Sequence, residues 1–231
     1  MTLTEELKAL LLSRGADLVG IGDMRGAENC NFRIGVSVAV ALPAHVIRDL
    51  QEAPTEEYYH LYHSLNQALN GIVSAGEGFL RDRGFAAWAQ TTDRVKVGPD
   101  KTTPLPHKTV AARAGLGWIG KNCLLVTPQY GPAVRISSLL TDAPLEYDEP
   151  ISQSRCGACD LCVRKCPAQA LKNALWKTGT PREEIADLAA CRKKQLEIMT
   201  EQTGIETELC GRCFAVCAYT EKYLRNGSDC K

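Results

Sequence analysis

Arg155-Cys-Gly-Ala-Cys-Asp-Leu-Cys-Val-Arg-Lys-Cys-Pro167 is the stretch on which the reading of this chain turns. It spaces four cysteines as Cys156-x-x-Cys159-x-x-Cys162-x-x-x-Cys166 and follows the last with proline. This is the bacterial ferredoxin run for 4Fe–4S clusters. A tight loop lets three thiolates meet one cubane, each on a different iron. The next turn swings the fourth thiolate toward a second cubane. The partners for a second cubane lie downstream: Cys191, then Cys210-x-x-Cys213-x-x-x-Cys217. Crossed ligation then assigns Cys156, Cys159, Cys162 and Cys217 to one cluster. The other takes Cys166, Cys191, Cys210 and Cys213. Zinc is the competing reading, since paired CxxC units also build zinc ribbons, but zinc sites seldom use the CxxCxxCxxxCP run.

The rest of the composition agrees with an intracellular metal protein. The chain has 231 residues and eleven cysteines, most of them clustered, and that usage favours metal over disulfides. Cys30, Cys123 and Cys230 fall outside the two sets and read as small core or surface residues. Twenty-seven basic and twenty-seven acidic residues cancel, so there is no overall nucleic-acid footprint. Met1 to Arg14 lacks the apolar run of a secretory signal, and no stretch approaches a membrane span of about 18 apolar residues. The expected location is the cytoplasm, without membrane attachment.

Upstream of the cysteines, strands and helices intermix. Thr2 and Glu5 have capping-box spacing, and Leu3, Leu7, Leu10 and Leu11 recur with helical period up to Gly15. Leu18 to Gly22 and Gly35 to Leu42 read as strands. Pro54 and Thr55 open a long helix whose apolar face is Tyr58, Tyr62, Leu65, Leu69, Ile72 and Val73, ending near Gly84. A short strand is expected over 85–89, a polar loop over 91–107, a helix over 109–114, and strands over 124–127 and 134–141. Asp148-Glu-Pro150 marks the expected boundary, giving an α/β domain over 1–149 and a two-cluster ferredoxin-like domain over 150–231. The fold class is α+β.

Gly115-Leu-Gly-Trp-Ile-Gly120 matches G-x-G-x-x-G in form only. No clear strand precedes it, no helix follows and no acidic ribose ligand is well placed, so a dinucleotide site is rejected. The turn suits a close backbone approach to a flat or anionic ligand, or a plain tight turn. His60 and His63 sit at i, i+3 on a helix, without the further ligands a metal needs. Arg192, Lys193 and Lys194 form either a solvated face or a docking patch for an acidic redox partner.

The segment Arg113-Ala-Gly-Leu-Gly-Trp-Ile-Gly-Lys-Asn122 resembles the glycine-rich segment of epoxyqueuosine reductases. Leu139-Leu-Thr-Asp142, the Tyr59-His60 pair and the eight-cysteine pattern resemble that family too. The resemblance implies a nitroreductase-like α/β sandwich that binds cobalamin. Two clusters would reduce the cobalt for a two-electron reduction, of an epoxide on a tRNA wobble base in that family and of small halogenated molecules in the related reductive dehalogenases. Gly115, Gly117, Gly120, Lys121 and Asn122 would border the corrinoid. The family's proposed proton donor opens an Asp-x-x-Pro segment; the matching position here is Lys101, in Lys101-Thr-Thr-Pro104, with Asp100 one residue earlier. The family's following glutamate falls on His107, the second cysteine run ends Cys217-Ala-Tyr in place of Cys-Pro-Trp, and the family's C-terminal helical-repeat extension is not found.

The expected function is therefore an iron–sulfur oxidoreductase passing electrons to a bound cobalamin, fed by a ferredoxin- or flavodoxin-type donor. Lys101 or Asp100 would protonate the product, and tRNA is a candidate partner. The alternative is an electron-transfer protein that reduces a corrinoid protein or another redox partner. A third reading keeps the fold and replaces the corrinoid with flavin.

Overall fold

The computed structural model describes residues 1–99 and 101–226. In chain order its elements are α1 (Leu3–Ser13), β1 (Leu18–Asp23), β2 (Ile34–Ala41), α2 (Ala44–Asp49), α3 (Glu56–Arg81), β3 (Ala87–Ala89), α4 (His107–Arg113), β4 (Trp118–Ile119), β5 (Leu125–Val126), β6 (Val134–Thr141), α5 (Leu161–Arg164), α6 (Arg182–Ile185), α7 (Leu188–Thr203), α8 (Arg212–Ala215) and α9 (Ala218–Asn226). No described helix is long and apolar enough to cross a membrane.

The chain forms two compact units. One comprises Met1–Val40, Ser64–Gly117 and Arg135–Ile151; the other comprises Ala41–His63, Trp118–Val134 and Ser152–Lys231. The last junction falls at residues 151 and 152. Two earlier stretches, 41–63 and 118–134, also cluster with the cysteine-rich region.

The first unit is built on a four-stranded sheet ordered β1-β2-β6-β3. β1 runs antiparallel to β2, from Leu18 opposite Ala39 to Asp23 opposite Ile34. β3 runs antiparallel to β6, with Ala87 opposite Thr141. Alternation sends Ile21, Val36, Val38 and Leu139 to one face, where they meet Leu7 and Leu11 of α1 and Leu69, Ile72, Val73 and Leu80 of α3. Fully burying such a side chain is worth about 1.5–3 kcal/mol. α1 starts on the expected capping box: the Thr2 hydroxyl accepts from Glu5 N–H and the Glu5 carboxylate accepts from Thr2 N–H.

The other face is nearly bare at one end, and α4 lies on it. A Cβ on Gly20 would come 2.2 Å from Ala114 O, one on Gly22 2.6 Å from Arg113 C, and one on Gly35 2.7 Å from Val110 Cγ1. Three glycines therefore let the helix rest on strand backbone. The Arg113 guanidinium ties it down further, donating to Asp23 O at 2.9 Å and Arg25 O at 3.3 Å. α4 begins at His107, two residues before the expected start.

The second unit contains α2, the start of α3, the β4–β5 hairpin and the cysteine-rich helices. Trp118 stands opposite Val126 in that hairpin. Helix α2 has no counterpart among the sequence expectations; it follows Pro43 with no side-chain cap. Its neighbour Leu50 packs at Gly211, whose φ of 84° and 3.0 Å clearance admit no side chain. Gly131 is equally constrained: at φ 60° its Cβ would lie 2.5 Å from Thr220 N.

Candidate iron–sulfur and cofactor site

The cysteine run folds as its spacing demands. Gly157 takes φ 54°, Cys159 N–H closes onto Cys156 O at 3.1 Å, and the chain enters α5 with Cys162 in its single turn. Asp160 and Arg164 pair across that turn at 2.9 Å. Cys166 leaves the turn with its N–H on Val163 O and is buried. Downstream, Asp187 caps α7 by accepting from Ala190 N–H, which places Cys191 in the first part of the helix. Gly211, left-handed, opens α8 with Cys213 inside it, and Cys217 follows with its N–H on Phe214 O.

The thiols bear on one another. Burial pushes the Cys162 thiol up to about 12, and the charges of Cys217, Cys156 and Cys159 add to it. Burial pushes Cys213 well above the ordinary thiol range, with Cys210, Cys191, Cys162 and Cys166 adding in turn. Cys191 is raised by burial and by Cys166, Cys210 and Cys123, while a hydrogen bond from Gln195 pulls the other way. Crowded, partly buried thiols that raise one another are poor company as bare thiolates. They become favourable once iron carries the compensating positive charge. The donor chemistry thus fits two cubanes. Among the described residues no group of three or more His, Cys, Asp or Glu side chains closes on a single metal ion. A cubane spreads its thiolates over four irons and does not ask for that convergence.

Two neighbours of these sets were not legible as such. Cys123, buried at φ 61° in the hairpin turn, bears electrostatically on Cys191. Gln195 donates from Nε2 to Cys191 Sγ at 3.0 Å. The signal for Gln195 was its i+4 spacing from Cys191 on a helix. Cys230 lies outside the described residues.

The glycine-rich turn divides between the units. Gly115 (φ 71°) and buried Gly117 belong to the first; Gly120, Lys121 and Asn122 belong to the second. Gly115 N–H bonds to Ala112 O and ends α4, and a Cβ there would meet Glu149 O at 2.5 Å. Gly120 fits under Val126 and Asn122 at 2.6 and 2.7 Å. Both glycines thus already have structural reasons. Asn122 is buried and its Oδ1 accepts from Leu124 N–H. Lys121 is 5% exposed, and no ion pair or hydrogen bond of its side chain is found among the described residues. Trp118, in the same segment, is fully buried, meets Tyr219 edge-on and lies under the Arg155 guanidinium. These two partners flank Cys156 and Cys217 in sequence.

Of the expected proton donors, Asp100 lies outside the described residues. Lys101 is exposed at φ 61°, in a turn where Gly98 N–H bonds to Thr102 O. His107 is held differently. Gln90 Nε2 donates to Ser138 Oγ at 2.7 Å, and Ser138 Oγ lies 2.8 Å from His107 Nδ1. Ser138 Oγ thus bridges the two side chains, and its hydroxyl can give its proton to Nδ1 or accept from Nδ1–H. Burial, then the Arg135 charge, lowers this histidine to about 4. His60 and His63 are exposed and stack edge-on with Tyr59, and His63 also with Tyr62. In the basic run, Arg192 pairs with Glu208 and Lys194 with Glu197, so two of its three charges are met locally.

Residues 155–220 match the 4Fe-4S double cluster binding domain family. Over 170 residues, 72% of this chain, the sequence is 31% identical to the epoxyqueuosine reductase of Lactococcus garvieae and covers 42% of it. Over 70 residues it is 47% identical to that of Listeria monocytogenes, 18% of the relative's length. The chain thus spans less than half the length of these curated relatives. Among solved structures, a catabolic reductive dehalogenase bound to 3-bromo-4-hydroxybenzoic acid superposes with a TM-score of 0.69 at 21% identity, over 97% of this chain and 33% of that one. An epoxyqueuosine reductase bound to an epoxyqueuosine-modified tRNA-Tyr stem loop superposes with a TM-score of 0.60 at 22% identity, over 95% and 65%. The resemblance read from the glycine-rich and cysteine segments is therefore shared by sequence and fold.

Proposed function

We propose that this chain, which resembles epoxyqueuosine reductases and carries a double 4Fe–4S domain, works in the cytoplasm as an iron–sulfur oxidoreductase. In this reading electrons pass through two clusters to a bound cobalamin for the two-electron reduction of a substrate. The observation that carries it is the ferredoxin spacing of eight cysteines within a matched double-cluster domain. Cys156, Cys159, Cys162 and Cys217 hold one cluster; Cys166, Cys191, Cys210 and Cys213 hold the other.

Support for the corrinoid comes from the similarity to a reductive dehalogenase structure described as bearing on B12-dependent dehalogenation, with a TM-score of 0.69. When bound, the corrinoid supplies the low-potential nucleophilic metal chemistry that no side chain can. The resemblance gives Gly115, Gly117, Gly120, Lys121 and Asn122 as the residues bordering it and reads the α/β part as a nitroreductase-like sandwich. Lys101, or Asp100 beside it, delivers the proton to the product. The substrate class is an epoxide on a tRNA nucleoside or a small activated molecule, and a ferredoxin- or flavodoxin-type protein supplies the electrons.

The test is an anaerobic titration of iron-reconstituted protein with cob(II)alamin, read by electron paramagnetic resonance. Conversion of the cobalt signal to a base-off, four-coordinate form supports the corrinoid site. A signal that stays that of free cofactor, with both clusters intact, refutes it. Electron transfer to a partner protein, or a flavin in the same unit, then takes its place.

A further inference from the structure

Gln195 stands one helical turn after Cys191 on α7, with its amide nitrogen 3.0 Å from the cysteine sulfur. The i, i+4 relation puts both side chains on one face of the helix. That helix is anchored at both ends. Asp187 caps its start, and left-handed Gly204 closes its end with its N–H on Thr200 O. A ligating thiolate only accepts, so the amide must present its NH2 end to it.

The other bonds to candidate ligand sulfurs are of a different kind. Cys162 takes one from the Val163 backbone, Cys210 from that of Arg212, and Cys217 from those of Tyr219 and Thr220. Those bonds are a consequence of loop geometry. The bond from Gln195 is a side-chain choice, made on one cysteine of one set.

We infer that Gln195 sets the reduction potential of the cluster held by Cys191, raising it relative to what the thiolates alone would give. The inference rests on the ligation reading above. Reduction adds one electron to the cluster and makes or breaks no bond. The added negative charge spreads onto the sulfurs, where the amide N–H dipole stabilises it, so the bond is stronger in the reduced state. Gln195 thereby acts on one of the two clusters and not on the other.

The experiment is a redox titration of the reconstituted full chain, followed by electron paramagnetic resonance, for wild type, Q195L and Q195E. Leucine keeps the bulk and removes the donor; glutamate keeps the shape and replaces the donor with negative charge. For Q195L the oxidised form of one cluster should gain about tenfold at fixed potential, about 59 mV lower for one electron. Q195E should move that same cluster further, and the other cluster should stay put. Unchanged potentials, or equal shifts of both clusters, would overturn the inference. Iron analysis and C191S separate this from the reading beneath it. If wild type holds about eight irons, as two cubanes require, and C191S perturbs one cluster, ligation stands whatever Gln195 does. If C191S leaves both cluster spectra untouched, the ligation reading and the inference fall together.

Discussion

Replacing Gly20 with alanine tests how the α4 segment is positioned. The added Cβ would lie 2.2 Å from Ala114 O, more than 1 Å short of the 3.4 Å at which ordinary contact begins. Leu116 Cδ2 stands 3.0 Å away on the same site. Neither backbone partner has a flexible end to move: one is a strand, the other the last turn of a helix. Overpacking of this kind costs about 1–3 kcal/mol, and a backbone clash belongs at the upper end. With a urea slope of about 2–3 kcal/mol/M, the midpoint should fall by about 1 M at unchanged slope. Gly71→Ala is the matched control. Gly71 is exposed in α3 with nothing within 4 Å of its Cβ position, so alanine there should stabilise by about 0.5–1 kcal/mol. The assay is urea unfolding by far-UV circular dichroism at equal cluster loading. A Gly20→Ala protein as stable as wild type, or a Gly71→Ala protein that loses as much, would refute the account of α4 resting on bare strand.

Further outcomes follow from individual side chains. His107 is lowered to about 4 in the fold against an ordinary value near 6.5. The unfolded chain therefore binds the proton first: the contribution is intact above about pH 6.5 and is lost as pH falls toward 4, by no more than about 3 kcal/mol. Urea midpoints from pH 7.5 to 5 should fall faster for wild type than for His107→Gln, and parallel curves would contradict this. Cys213→Ala should halve the bound iron and leave one cluster spectrum, measured by iron analysis and electron paramagnetic resonance; full retention of iron would contradict its role as a ligand. Glu77 is 5% exposed and meets both Arg81 and Arg94. Arg94→Ala should cost about 1–3 kcal/mol, since Arg81 still compensates part of the buried charge, and a neutral result in urea unfolding would contradict that pairing.

What the sequence made legible was what depends on near neighbours. The Thr2–Glu5 cap, the long α3 and the CxxCxxCxxxCP run are all written within a few residues or a few turns. The rest depends on residues far apart. Gly20, Gly22 and Gly35 look like ordinary strand glycines until α4 is seen to lie on them. Helix α2, six residues behind a proline with no side-chain cap, leaves too short a period to read. That 41–63 and 118–134 join the cysteine-rich unit follows from packing such as Leu50 on Gly211 and Gly131 on Thr220. At the site, the eight cysteines were visible from spacing. Gln195 and the Gln90–Ser138–His107 chain were not, because a polar side chain reveals its partner only once both are placed.

The most direct measurement is the iron and acid-labile sulfide content of the anaerobically reconstituted chain, with the spin count after full reduction. Two cubanes predict about eight irons and eight sulfides per chain, with two interacting paramagnetic centres. A chain that takes up zinc in place of iron, or holds about four irons and one isolated centre, contradicts the two-cluster account.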